Sequence, residues 1–193
     1  MSAEAGLRLV RHFYEHMKIA ILAWGSLVER PGKLRLTTNW QSGGPTLPVE
    51  FSRCSKDDRL TLVIDTENGR PVATQFATSE LNALDEAIEN LRQREKTLTE
   101  HVGFATRDGK THRATNEIIQ WLAAAEFDAA IWTALPSNFS ERVGSPFSVE
   151  RAIAYLRGLP TGAQQTGFEY FRIAPPHVMT PLRERLIAEG LLQ

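Results

Sequence analysis

Two short stretches of this chain carry residue types suited to chemistry: the loop Trp24-Gly25-Ser26-Leu27 and the charged run Arg92-Gln93-Arg94-Glu95-Lys96. The apolar, partly β-branched segment Ile19–Ala23 reads as an internal strand that ends just before the loop. A glycine at such a strand end lets a ligand approach closely, and successive backbone N–H groups form a nest for an anion or a developing oxyanion. A Gly-Ser pair is common, however, and a plain strand-to-loop turn accounts for it more readily. Glu95 is a candidate proton carrier, a role that calls for a pKa raised by partial burial. Taken alone, beside Arg92, Arg94, Lys96 and Glu100, it reads more readily as a solvated residue. Glu86 and Glu89 are rival carboxylates whose three-residue offset places them together on what reads as an outward helix face.

Three further features have simpler readings beside the chemical ones. Arg53, two residues beyond Phe51, shares its face by the period of two and suits either a substrate carboxylate or a surface ion pair. Cys54 has no His or other base placed beside it by a local motif and reads as a structural thiol. The segment "HFYEH" at 12–16 fits the H-x-x-E-H pattern of inverted zinc peptidases, in which two His hold the metal and the Glu is the base. That pattern needs a third ligand and a central helix. A short N-terminal helix with His12 and His16 exposed, and Leu9, Phe13 and Met17 inward, is the better reading, so no metal site is expected.

The elements that must position these residues form one domain over 1–193, with a core at about 18–135 and a helical extension at about 146–193. Runs at 46–54, 59–65 and 70–78 are β-prone, and "DTENGR" between the last two carries the Asn-Gly signal of a tight hairpin. "TSELNALDEAIENLRQREK" offers Ser/Thr caps and sets Leu81, Leu84, Ala87, Ile88 and Leu91 on one helix face. A second helix follows at 112–127, a strand at 128–136, and helices at 148–159, 165–174 and 180–192. The fold class is α+β, with a helical C-terminal third.

The 22 basic and 23 acidic residues nearly cancel, with no block of like charge, so the footprint of a nucleic-acid or anionic-membrane binder is missing. The single Cys54 allows no internal disulfide. The first residues lack the apolar core of a signal peptide and no run is long enough to span a bilayer, which points to a cytoplasmic protein with a small-molecule partner. "NFS" at 138–140 matches a glycosylation acceptor but means little without a secretory signal.

"AWGSLV", "LPVEFSR", "LTLVI", "PVATQFA" and "LDEAIENLRQREK" together resemble the gamma-glutamylcyclotransferase-like superfamily, including its ChaC-like branch. Its Tyr-Gly-Ser-Leu segment after the first strand corresponds to Trp24, Gly25, Ser26 and Leu27, and its acidic position to Glu95. Trp24 replaces the usual Tyr, and Lys96 stands where Gly often follows the Glu. The resemblance covers roughly 18–105, with "AAIWTAL" as a later strand. It implies a small mixed β-barrel or strongly curved sheet flanked by helices. It also implies a cofactor-independent enzyme in which the α-amine of a γ-glutamyl-like substrate attacks its own γ-carbonyl, giving 5-oxoproline and a free amine. Glu95 would carry the proton, and the backbone donors of Gly25, Ser26 and Leu27, with Trp24 and Arg53, would hold the substrate. A non-catalytic binding module on the same fold is the alternative.

Overall fold

The computed structural model describes residues 16–192, which form seven strands, seven helices and one 3₁₀ turn. In chain order these are β1 (Ile19–Ala23), α1 (Ser26–Glu29), β2 (Gln41–Cys54), β3 (Leu60–Ile64), β4 (Arg70–Thr78), α2 (Leu84–Glu95), the 3₁₀ turn (Thr99–His101), β5 (Val102–Thr106), β6 (Thr111–His112), α3 (Asn116–Ala124), β7 (Ala129–Thr133), α4 (Phe139–Val143), α5 (Val149–Gly158), α6 (Thr161–Ile173) and α7 (Pro181–Ala188). The chain divides into two compact units. One comprises 16–23, Pro31–Pro45 and Gln75–Thr133; the other comprises Trp24–Arg30, Thr46–Thr74 and 134–192. The H-x-x-E-H positions His12 and Glu15, with Leu9 and Phe13, lie outside the described residues; of that segment, His16 is exposed and Met17 buried.

In the first unit β1 is buried at every residue. It pairs antiparallel with the end of β4, from Ala20 opposite Thr78 to Ala23 opposite Gln75, and parallel with β7. A strand paired at both edges and covered on both faces reads as a continuous apolar run, which is the pattern of Ile19–Ala23. β7 pairs with β5, and β5 with the two-residue β6. Gly103 on β5 lies opposite the fully buried Trp132 of β7; a Cβ there would come within 2.3 Å of the indole, so the ring occupies the space a side chain would need. Helix α2 packs on β7 and β5, burying Ala87, Ile88 and Leu91, while α3 packs on β5, burying Ile118 and Leu122.

In the second unit β2 and β3 pair antiparallel, and their register slips between Glu50 and Arg53: Glu50 faces Val63 and Arg53 faces Thr61, so Phe51 and Ser52 together oppose Leu62. This is a β-bulge. Around it Phe51, Leu60, Phe139, Leu156, Phe171, Leu182 and Leu186 form one core, with the Phe51 and Phe171 rings 4.1 Å apart. Helix α5 packs on α6 and α7, and α6 also on β3 and α1.

The strand order is β3-β2-β4-β1-β7-β5-β6, a mixed α+β sheet that stays open, which overturns the barrel form of the sequence expectation. Closure requires the edge strands to pair, and β6 with two residues offers almost no ladder. The hairpin expectation also fails, because β2 lies between β3 and β4. The 65–69 connection is instead tied down on β2: the Asp65 N–H donates to the Pro48 carbonyl, and the Asp65 carboxylate accepts from the N–H groups of Glu67 and Asn68. A Cβ on Gly69 would sit 2.7 Å from the Pro48 and Val49 backbone, so the glycine marks a crossing over the neighbouring strand. Helix α2 starts later than its sequence signal suggests, at Leu84, because the Ser79 hydroxyl accepts from the Leu81 N–H in the preceding turn and does not cap the helix. The helical C-terminal third is present as expected, and among the described residues no helix is long and apolar enough to cross a membrane.

One buried carboxyl joins sheet to helix in the second unit. Glu50 is fully buried; its Oε1 accepts from the Phe51 N–H at 2.7 Å and its Oε2 from the Leu182 N–H at 3.2 Å, in the first turn of α7. The Thr180 hydroxyl, at the N-cap of α7, also bonds it. Burial outweighs these donors, and Asp65 adds repulsion, so the Glu50 carboxyl is pushed up to about 7. Below its ordinary value of 4.5 the carboxyl is protonated in both folded and unfolded chains. Between there and about 7 only the native state keeps the proton, so native stability falls as pH rises across this window. The expected loss is on the order of 3 kcal/mol, read by urea denaturation from pH 4.5 to pH 8. Glu50→Gln should flatten the profile over this range, and an unchanged slope in that variant would exclude Glu50 as its source.

Candidate functional site

The Trp24–Leu27 loop leaves β1 and forms one helical turn: the Val28 N–H donates to the Gly25 carbonyl at 3.0 Å and the Arg30 N–H to the Ser26 carbonyl at 2.9 Å. The leading N–H groups of such a turn have no acceptor within it. Trp24, Gly25 and Leu27 are buried, and Ser26 is half-buried. Gly25 has φ −146° and ψ −141°, outside the left-handed region. Its missing side chain serves packing: a Cβ there would lie 3.3 Å from Leu62 Cδ1, the residue facing the β2 bulge.

Arg53 lies in the same unit, and the bulge removes it from the face of Phe51. Phe51 and Cys54 enter the core, while the Arg53 guanidinium donates to the Pro136 carbonyl at 2.6 Å. Burial lowers its pKa, and Glu141 works against that shift. Beside it, the Asn138 side chain accepts from the Cys54 N–H and donates to the Cys54 carbonyl, holding the 136–138 loop to the strand end. Burial pushes the Cys54 thiol up, which suits a structural sulfur.

Glu95 belongs to the other unit, at the last position of α2. Its side chain is 17% exposed and Arg94 beside it 15%, and Arg94 Nη1 donates to Glu95 Oε1 at 2.5 Å. Burial pushes the Glu95 carboxyl above the usual carboxylate range, with the Arg94 charge pulling the other way. The rivals differ. Glu86 and Glu89 are both exposed, and Glu89 is held down to about 2 by hydrogen bonds from Arg92 and Gln93. Of these three carboxylates of α2, Glu95 alone is desolvated. Its backbone setting follows from how the helix ends. Lys96 adopts a left-handed conformation with φ 51°, its N–H donates to the Gln93 carbonyl, and the Thr97 N–H donates to the Arg92 carbonyl. That double bond pattern is a Schellman ending, whose left-handed residue is most often glycine. Lys96 fills this position with backbone strain.

Comparison with protein-family models, with curated proteins and with solved structures finds no match to this chain. The site therefore rests on its own residues. Sequence reasoning missed Glu50, although an acidic residue set between Val49 and Phe51 in an apolar strand was the available signal. It also missed the side-chain pairing of Asn138, which no local pattern announces.

Two substitutions test these assignments. Gly25→Val should cost about 1–3 kcal/mol by overpacking Leu62. Combined with Leu62→Ala it should cost clearly less than the sum of the single changes, and additive costs in a double-mutant cycle would disprove the contact. Lys96→Gly relieves the left-handed backbone and should raise stability by about 0.5–1 kcal/mol, seen as a higher melting temperature.

Proposed function

We propose that this protein is a cytoplasmic, gamma-glutamylcyclotransferase-like enzyme, built on a curved form of the open sheet, that cleaves a small γ-glutamyl amide without a cofactor. The observation that supports this most is the desolvated Glu95 carboxyl at the end of α2, the acidic position of the family resemblance. In the reaction, Glu95 takes a proton from the substrate's α-ammonium and the freed amine attacks the γ-carbonyl carbon. The resulting oxyanion needs backbone N–H donors, the role that the family resemblance gives to Gly25, Ser26 and Leu27. Glu95 then gives its proton to the departing nitrogen and the C–N bond breaks, and the second proton of the new ring nitrogen passes through the Glu95 carboxylate to the released amine, so 5-oxoproline and an ammonium leave. A raised carboxyl pKa suits both halves of this exchange, since the group must accept a proton and then give it back. The second reading, a binding module that keeps the site without turnover, draws on Trp24, which is buried and carries no hydroxyl in the position where the family has Tyr.

Screening γ-glutamyl amines, γ-glutamyl dipeptides and glutathione for 5-oxoproline release by mass spectrometry identifies the substrate. With it, Glu95→Gln should lower turnover at least on the order of a hundredfold while binding survives. Glu86→Gln and Glu89→Gln, on exposed positions, should leave the rate near that of the parent chain. Equal, modest effects at all three positions would remove Glu95 from catalysis, and ligand binding without turnover by the parent chain would favour the binding module.

A further inference from the structure

The proposed reaction places a second charge problem beside Glu95. The ammonium that Glu95 must face is carried on the same carbon as the substrate's α-carboxylate, so binding brings one carboxylate close to another in a largely dehydrated setting. Like charges there repel strongly unless a cation lies with them. The Arg94 guanidinium is that cation in position. It is bonded to Glu95 Oε1 at 2.5 Å, both side chains keep a small exposure of 15–17%, and the Arg94 stem runs beside Gly32 of the Pro31-Gly32 turn. A guanidinium presents five N–H donors in a planar fork that matches a carboxylate edge on. Together the two side chains offer an anion and a cation side by side, the complement of an α-amino-acid head group.

We infer that Arg94 binds the α-carboxylate of the substrate, making the Arg94–Glu95 pair a receptor for the zwitterionic α-amino-acid head and Arg94 the residue that selects for it. This rests on the cyclotransferase reading and deepens it. On binding, the internal ion pair is replaced by two intermolecular ones, Glu95 with the ammonium and Arg94 with the carboxylate, so the base is left facing the nitrogen it must deprotonate. Arg92, one turn away from Glu95 on the same helix, is held by the Glu89 carboxylate and the Thr97 carbonyl.

The test uses two probes, γ-glutamyl methylamide and the same molecule with its α-carboxylate converted to a carboxamide. Titration calorimetry is done on the Glu95→Gln chain, in which the ligand persists, with and without Arg94→Met, Arg94→Gln or Arg94→Lys. Arg94→Met and Arg94→Gln should weaken the carboxylate probe by about tenfold or more and leave the carboxamide probe within about twofold, with Arg94→Lys between them. Unchanged carboxamide binding also shows that the variants are folded. Equal losses for both probes, or none, would overturn the role of Arg94 while leaving the cyclotransferase reading standing. Failure of Glu95→Gln to bind either probe would overturn both. As a measurement on the unaltered chain, the Arg94 Nε–H resonance should shift on adding the carboxylate probe and stay in place with the carboxamide. A resonance that ignores both probes counts against the inference even if the variants do not fold.

Discussion

The constraint on which the rest depends is the complete enclosure of β1. Its five residues are buried, with β4 along one edge and β7 along the other. A backbone enclosed in this way must satisfy each N–H and C=O in the ladder, which leaves nothing over for a ligand. The chain on either side is fixed by the same ladder. The Ser79 N–H donates to the Ile19 carbonyl, the Asp128 N–H to the Lys18 carbonyl, and the Lys18 N–H to the Asp128 carboxylate. After Ala23 the chain leaves the ladder and closes the single helical turn of Ser26–Glu29.

Against that rigid strand, the second unit is organised by an irregularity. The bulge at Phe51 and Ser52 reverses the alternation of β2, so that Phe51 and Cys54 both reach the core while Arg53 is directed to the Pro136 carbonyl. Just before the bulge, Glu50 reaches the start of α7. Helix α7 in turn carries the buried Arg183, whose guanidinium gathers the carbonyls of Ala174, Pro175 and Val178. A buried carboxyl and a buried guanidinium therefore hold the final helix by backbone groups, each bonded to main chain instead of to the other. Such arrangements satisfy hydrogen bonds that would otherwise be lost, at the expense of dehydrating a charge.

What the sequence made legible follows period and composition. Ile19–Ala23, the strands at 60–64 and 70–78, helix α2 and the helical C-terminal third all carry strong local patterns, and each is present. The short β5 and β6 were not legible, because five and two residues give too little periodicity, and β5 includes Gly103. The Asn-Gly turn misled because its chemistry specifies a turn and says nothing of which strand lies alongside. The bulge was invisible for a related reason: one extra residue alters no composition, yet it reverses every inference drawn from alternation past Glu50. At the site, residue types marked Glu95 as one carboxylate among several, and only its burial separates it from Glu86 and Glu89. The strain at Lys96 was hidden as well, since a left-handed residue other than glycine has no sequence signature.

Gly103 and Trp132 lie face to face across two neighbouring strands, the ring filling the volume that a side chain on the glycine would need. In inheritance the two positions therefore behave as a single character. A mutation that adds even a methyl group at 103 meets an aromatic wall and is purged unless the indole has already been exchanged for something smaller. Loss of the indole alone opens a void large enough to favour a later gain at 103. Descendants of this chain should keep both residues or replace both, and a set of related sequences in which the two vary independently would contradict that coupling.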